Sequence, residues 1–179
     1  MRIRRLIIPI AVGIVSLSAW YLYSHSTYAE TSPLRELREH LSPDRASISW
    51  DLVDGYWMLE FHGSQATDLT VAEAMPFLTA LPTHTPIDAL DYDRSFSIRL
   101  TDTEITDSGL HSLAALPIAK LFVTNSPITD RLVDILAKEN RLFMLHLNGT
   151  DVSEKGLDAI KELHPSCDVQ FTAGSRTKR

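Results

Sequence analysis

Apolar residues recur two apart and then three apart along this chain, in four versions of one phrase. FHGSQATDLTVAEA begins at Phe61, LTDTEITDSGLHSL at Leu100, VTNSPITDRLVDIL at Val123 and LNGTDVSEKGLDAI at Leu147, so the last three are spaced by 23 and 24 residues. The pairs Ile98/Leu100, Leu121/Val123 and Leu145/Leu147 put both side chains on one strand face. Leu59/Phe61 and Val169/Phe171 continue the series at its two ends. Three residues after the second apolar position stands Ser64, Thr103, Ser126 or Thr150, a short hydroxyl suited to bonding the backbone as the chain leaves the strand. Ala66, Ile105, Ile128 and Val152 are the next inward positions. Thr67-Asp68, Thr106-Asp107, Thr129-Asp130 and Ser153-Glu154 then supply a hydroxyl N-cap and an acid in the first helical turn. The helix faces follow as Leu110/Leu113, Val133/Leu136 and Leu157/Ile160. Each unit therefore reads as strand, tight turn, capped helix and return. A period in this range marks a repeat array, in which neighbours cover one another's apolar faces and the surface of the stack carries the function.

The first unit stands apart, 39 residues before the second. The intervening PTHTPIDALDYDRSFS is an inserted loop or a degenerate repeat, and Ser95 falls where Ile118 and Leu142 place an apolar residue. The junction between the first and second units is thus the least regular in the stack. Upstream, TSPLRELREHLSPD predicts a short helix with Ser32 as N-cap and Pro33 at its first position. Leu34, Leu37 and Leu41 form its apolar stripe, which suits a linker helix packed on the first unit as a cap. SISWDLVDGYWMLEF places Asp54-Gly55 between two β-prone runs, a hairpin signal with Trp50 and Trp57 on opposite arms as a packed pair. Such a hairpin would blunt the N-terminal end of an open sheet.

Arg2, Arg4 and Arg5 precede an uncharged run, LIIPIAVGIVSLSAWYLY, 18 residues from Leu6 to Tyr23. The run is longer than an ordinary signal h-region and close to the length that spans a bilayer, with Trp20, Tyr21 and Tyr23 at its far end. Thr27-Tyr28-Ala29 offers a cleavage site, so a retained anchor and a cleaved signal peptide both stay open. In either case the arginines keep the N-terminus cytoplasmic and the remainder is exported. The expectation is a single-pass inner-membrane protein with its C-terminal part outside the cytoplasm, or a secreted or periplasmic one after cleavage.

Charge and chemistry narrow the field. A net charge of −6 argues against a nucleic-acid binder, and the basic SRTKR ending reads as a solvated terminus. Cys167 is the sole cysteine, which excludes an internal disulfide; its place at the entry to a strand suits burial better than reactivity. Seven histidines are present, yet no pair has helical metal-ligand spacing. Neither a metalloprotease, a nucleophile-elbow nor a phosphate-loop motif occurs, so no enzyme, cofactor or metal is expected. Asp91 and Asp93 are too few oxygen donors for a calcium loop and read as a solvated acidic loop. Asn148-Gly149-Thr150 matches a glycosylation sequon, but it coincides with repeat positions that already explain it.

The phrase L-x-L-x-x-[ST]-x-[IV]-[TS]-[DE]-x-[GL]-[LV]-x-x-[LI], over Phe96 to Phe171 and more weakly from Trp57 to Pro82, resembles the leucine-rich repeat family in its bacterial form with Thr or Ser in the usual Asn position. PSCDV also resembles the way such arrays end. The resemblance implies an α/β fold: a short leucine-rich-repeat solenoid with parallel strands on a concave side and helices on a convex side, preceded by the N-terminal transmembrane or signal helix. The organisation expected is residues 1–30 as signal anchor or signal peptide, 31–55 as linker helix and capping hairpin, 56–172 as the repeat domain and 173–179 as a basic tail. It also implies macromolecular recognition by the concave face. Alternation assigns that face to Trp57, Glu60, His62, Arg99, Lys120, Phe122, Met144, His146 and Gln170, with Arg99, Phe122 and His146 at its centre. Aromatic and arginine side chains there are the types that anchor protein interfaces. A protein partner is expected. An envelope glycan contacted by Trp57, His62 and Asn148, or a passive structural role, stands beside it as an alternative.

Overall fold

A computed structural model describes residues 32–51, 56–81, 95–139 and 141–172. The expected N-terminal signal or anchor, the Asp54-Gly55 turn, the Trp50 side chain, the loop bearing Asp91 and Asp93, and the basic tail lie outside the described residues. Among the described residues no helix is long and apolar enough to cross a membrane.

The elements run α1 (Ser32–His40), β1 (Ala46–Asp51), β2 (Tyr56–His62), α2 (Asp68–Thr79), β3 (Phe96–Thr101), α3 (Asp107–Leu113), β4 (Ile118–Thr124), α4 (Leu132–Leu136), β5 (Met144–Asn148), α5 (Glu154–Leu163) and β6 (Asp168–Thr172). The six strands form one sheet in chain order, with β1 and β2 antiparallel and every later neighbour parallel. Consecutive helices touch one another as consecutive strands do. The protein is thus α/β, with one mostly parallel sheet and one layer of helices sharing a single core.

Alternation positions that core. Leu59, Phe61, Ile98, Leu100, Leu121, Val123, Leu145 and Leu147 are buried, and so are Ala66, Ile105, Ile128 and Val152 at the turns. In β2 the buried residues are Trp57, Leu59 and Phe61, which corrects the expectation for Trp57. Trp57 shares its parity with Leu59 and Phe61, so its indole enters the core and leaves Tyr56 and Met58 to share the other face with Glu60 and His62. The backbone register sets Trp50 directly across from Trp57. At the N-terminal end Leu37 and Leu41 of the first helix segment are buried in the same core.

Ser95 also needs correcting. The residue aligned with Ile118 is Phe96, because the β3–β4 register shifts between Phe96 and Ser97, and Ser97 then pairs with Lys120. Ala119 is the extra residue of the bulge; it is buried, and its carbonyl accepts from Phe143 N–H at 3.0 Å. The first-to-second junction pairs over six residues, as fully as any other parallel pair.

The recurring turn chemistry is organised between units rather than within them. Asp68 accepts from the Thr106 N–H at 2.8 Å, the Thr106 hydroxyl at 2.6 Å and the Gly109 N–H at 3.1 Å. Asp107 accepts from the N–H and hydroxyl of Thr129 at 2.9 and 2.6 Å, and Asp130 from those of Ser153, both at 2.7 Å. Each of these three aspartates therefore holds the hydroxyl residue that leads into the helix of the following unit, a charge-assisted bidentate grip. The caps expected at Thr106 and Ser153 accept from Ser108 and Gly156 N–H groups. At Thr129 the helix starts later, at Leu132, and Leu132, Ile135 and Leu136 are its buried residues while Val133 is half-buried. The reason lies in the adjacent unit. A Cβ at Gly109 or Gly156 would overlap the carboxylate of Asp68 or Asp130, and Leu132, which occupies the corresponding place, carries one.

At the other edge of each unit, Gly63, Asp102, Asn125 and Gly149 all take positive φ as the strand ends. Asp102 and Asn125 tolerate this left-handed turn through short polar side chains, and Asn125 Nδ2 donates to Asp102 Oδ1 at 2.8 Å. The buried hydroxyls of Thr103 and Ser126 bond each other at 2.8 Å, whereas the Thr150 hydroxyl, at the end of that row, is buried with no partner.

Candidate interaction surface

The sheet face opposite the helices carries three rows of side chains, each crossing β2 to β6 in register. The middle row is Glu60, Arg99, Phe122, His146 and Gln170. Parallel, in-register pairing brings these residues together from positions up to 110 apart in sequence. Arg99 Nη1 lies 3.1 Å from Glu60 Oε1, with the arginine side chain 49% exposed. Its Cζ stands 5.4 Å from the Phe122 ring centroid, within cation–π range. The Phe122 and His146 rings meet edge to face at 4.9 Å and 83°. His146 Nε2 is buried without a hydrogen-bond partner. Gln170 donates to Asp168 within its own strand at 3.3 Å.

The row is thus a chain of contacts: carboxylate, guanidinium, phenyl, imidazole. Phe122 is half-buried by its neighbours, and part of the Arg99 guanidinium already engages Glu60. Beside the row lies an open depression of about 400 Å³, lined by Arg99, Phe122, Thr124, His146, Leu147, Asn148, Gln170 and Thr172. Its rim is hydroxyl and amide groups around one cation, a lining suited to polar ligand groups over an aromatic floor.

The other expected residues divide. Glu60, His62, Arg99, Lys120, Phe122, Met144, His146 and Gln170 share the open face, while Trp57 does not. His62 is turned aside, its Nε2 sitting 2.9 Å from the Pro43 carbonyl oxygen. Lys120 lies against two aromatic rings that also meet each other, Nζ being 4.8 Å from the Tyr56 centroid and 5.6 Å from that of Phe143. Tyr56 and Phe143 were not among the expected residues. Alternation counted back from Phe61 finds Tyr56. Phe143 precedes its strand, 40% exposed, and no periodicity reports it.

Titration is perturbed away from this face. Burial raises the Glu139 carboxyl, which accepts from Ile118 N–H at 3.4 Å, and burial likewise raises the Cys167 thiol. A thiol held protonated in a half-buried site is a poor nucleophile. Among the described residues no three His, Cys, Asp or Glu side chains gather where they would hold a metal ion.

Fold and surface together define an α/β protein with one sheet face covered by helices and the other open. Compared with protein-family models and with curated proteins, the chain matches none.

Proposed function

We propose that this chain is a membrane-tethered, extracytoplasmic leucine-rich-repeat module that binds a protein partner through the open face of its sheet. The observation that carries the reading is the contiguous Arg99–Phe122–His146 run at the centre of that face. An arginine already steered by Glu60 and a phenyl ring wedged between cation and imidazole lose little side-chain entropy on binding. The inter-unit carboxylates support the solenoid reading, because each unit is bonded through the same two groups to the next. Tethering rests on the arginine-led apolar run, and the Ser32–His40 helix then stands between membrane and sheet.

The glycan reading loses two of its three contacts, since Trp57 is in the core and His62 is engaged with Pro43. The polar rim of the depression, Asn148 included, is what still favours it.

Capture of envelope proteins on the immobilised full-length chain tests the proposal. Phe122→Ala and Arg99→Ala are each expected to weaken partner binding about ten-fold or more. Leu69→Ala, at an exposed apolar residue on the helix side, is expected to leave it unchanged. Equal recovery by all four chains removes the open face as the binding site. Retention on purified cell-wall glycan with no protein captured favours the second reading.

A further inference from the structure

The two ends of the sheet are finished differently. At the β1 end, α1 lays Leu37 and Leu41 over the core. At the β6 end, among the described residues, no element lies beyond the strand. Val169 and Phe171 face the core side yet stay partly exposed, and Leu163 on α5 is 46% exposed. Asp168–Thr172 also lacks the lysine, proline or bulge that usually guards an edge strand.

We propose that β6 is the interface of a symmetric dimer, pairing antiparallel with β6 of a second copy of this chain. The backbone fixes which residues bond outward. Asp168 donates its N–H to the Phe143 carbonyl on the β5 side at 2.8 Å. Alternation along a parallel strand then turns Gln170 and Thr172 toward β5 as well, and sends the N–H and C=O groups of Val169 and Phe171 outward. Two outward residues two apart satisfy one another about a two-fold axis through Gln170. Val169 of each copy exchanges both bonds with Phe171 of the other, which pairs all five residues of the strand.

The side chains suit the same axis. On the core side the half-exposed Val169 and Phe171 cover each other across the interface. On the open side Asp168 meets Thr172, and Gln170 meets its own copy, so no like charges are opposed. Self-complementarity under a two-fold is a requirement of a homodimer and not of a foreign strand, which is why a second copy is the occupant. The dimer would join two open faces into one continuous sheet surface, with Gln170 at its centre.

Sedimentation of the full-length chain in non-ionic detergent tests this, with two variants. Val169→Pro removes an outward N–H and is compatible with an edge strand. It should weaken the dimer about ten-fold or more, through two lost hydrogen bonds per dimer, with circular dichroism unchanged. Gln170→Cys in a Cys167→Ser background should give a covalent dimer on mild oxidation, because directly opposed residues fall within disulfide reach. This readout stands whether or not the proline variant folds. A native chain that is monomeric at tens of micromolar overturns the proposal, as does a Gln170→Cys chain that never cross-links. A dimer indifferent to Val169→Pro places association elsewhere, including residues 1–31, and also overturns it. A chain that dimerises only after removal of residues 173–179 would show its own C-terminal segment on the edge, with the same consequence.

Discussion

Asp130 shows how much one carboxylate can be asked to do at a nearly exposed site. The Ser153 hydroxyl, and then the Ser153 backbone N–H, hold its pKa below the ordinary value for an aspartate. A carboxyl depressed on folding contributes stability that is fully present above its unfolded pKa and is lost as pH falls through the folded one. Asp130→Ala should therefore cost about 1 kcal/mol at pH 7, a value kept small by solvent screening. The gap between the urea midpoints of wild type and variant should close below about pH 4. A gap that persists at pH 2 would mean that packing, not charge, is what the residue supplies. Hydroxyl followed by acid was legible along the chain, and a helix N-terminus was its expected purpose. The acid's true partner lies 23 residues away, and such a partner is invisible to any local rule. Trp57 teaches the same lesson in reverse: large, aromatic and near polar neighbours, it is placed by parity alone.

At the scale of elements, glycine at the third residue after the cap has a different reason than helix termination. At Gly109 an added Cβ would press on Asp68 Oδ1 and sit 2.9 Å from Ile105 Cγ2. Alanine ordinarily improves a helix by about 1 kcal/mol over glycine. Gly109→Ala should instead destabilise by about 1–3 kcal/mol, since the carboxylate must leave its three donors or the helix must shift. Thermal unfolding of the variant, with an increase in Tm as the contrary result, decides between them. The natural counterpart is α4, where Leu132 stands in that place and the helix is only five residues long. Strand and helix order was legible because alternation and three-residue spacing are strictly local signals. The Ala119 bulge and the late start of α4 were not, because each depends on what the adjacent unit requires.

Across the whole molecule, stability is shared along one core that begins at α1. Leu37 is 1% exposed and packs at the N-terminal end of the cluster. Leu37→Ala should cost about 2–5 kcal/mol from lost burial and the cavity left behind. The urea midpoint should fall with little change in slope if the sheet unfolds as one unit. A second, earlier transition would instead show that α1 and β1 come away separately. The candidate surface also belongs to this scale. Glu60, Arg99, Phe122 and His146 were nameable from alternation, yet their mutual contacts come from register, which stacks one residue from each unit in a row. The contact of Tyr56 and Phe143 with Lys120 has no counterpart in the repeating phrase and arises only where β2, β4 and the residue leading into β5 come together.

By itself the chain's pattern determined the alternation of strands and helices, the inward residues of most units and the candidates on the open face. Those follow from side-chain periodicity, which each segment expresses without its neighbours. Only the tertiary structure decided which carboxylate grips which hydroxyl residue, where the bulge falls and which aromatic rings lie against Lys120. These are matters of contact between units, and contact depends on register, which alternation leaves free by steps of two.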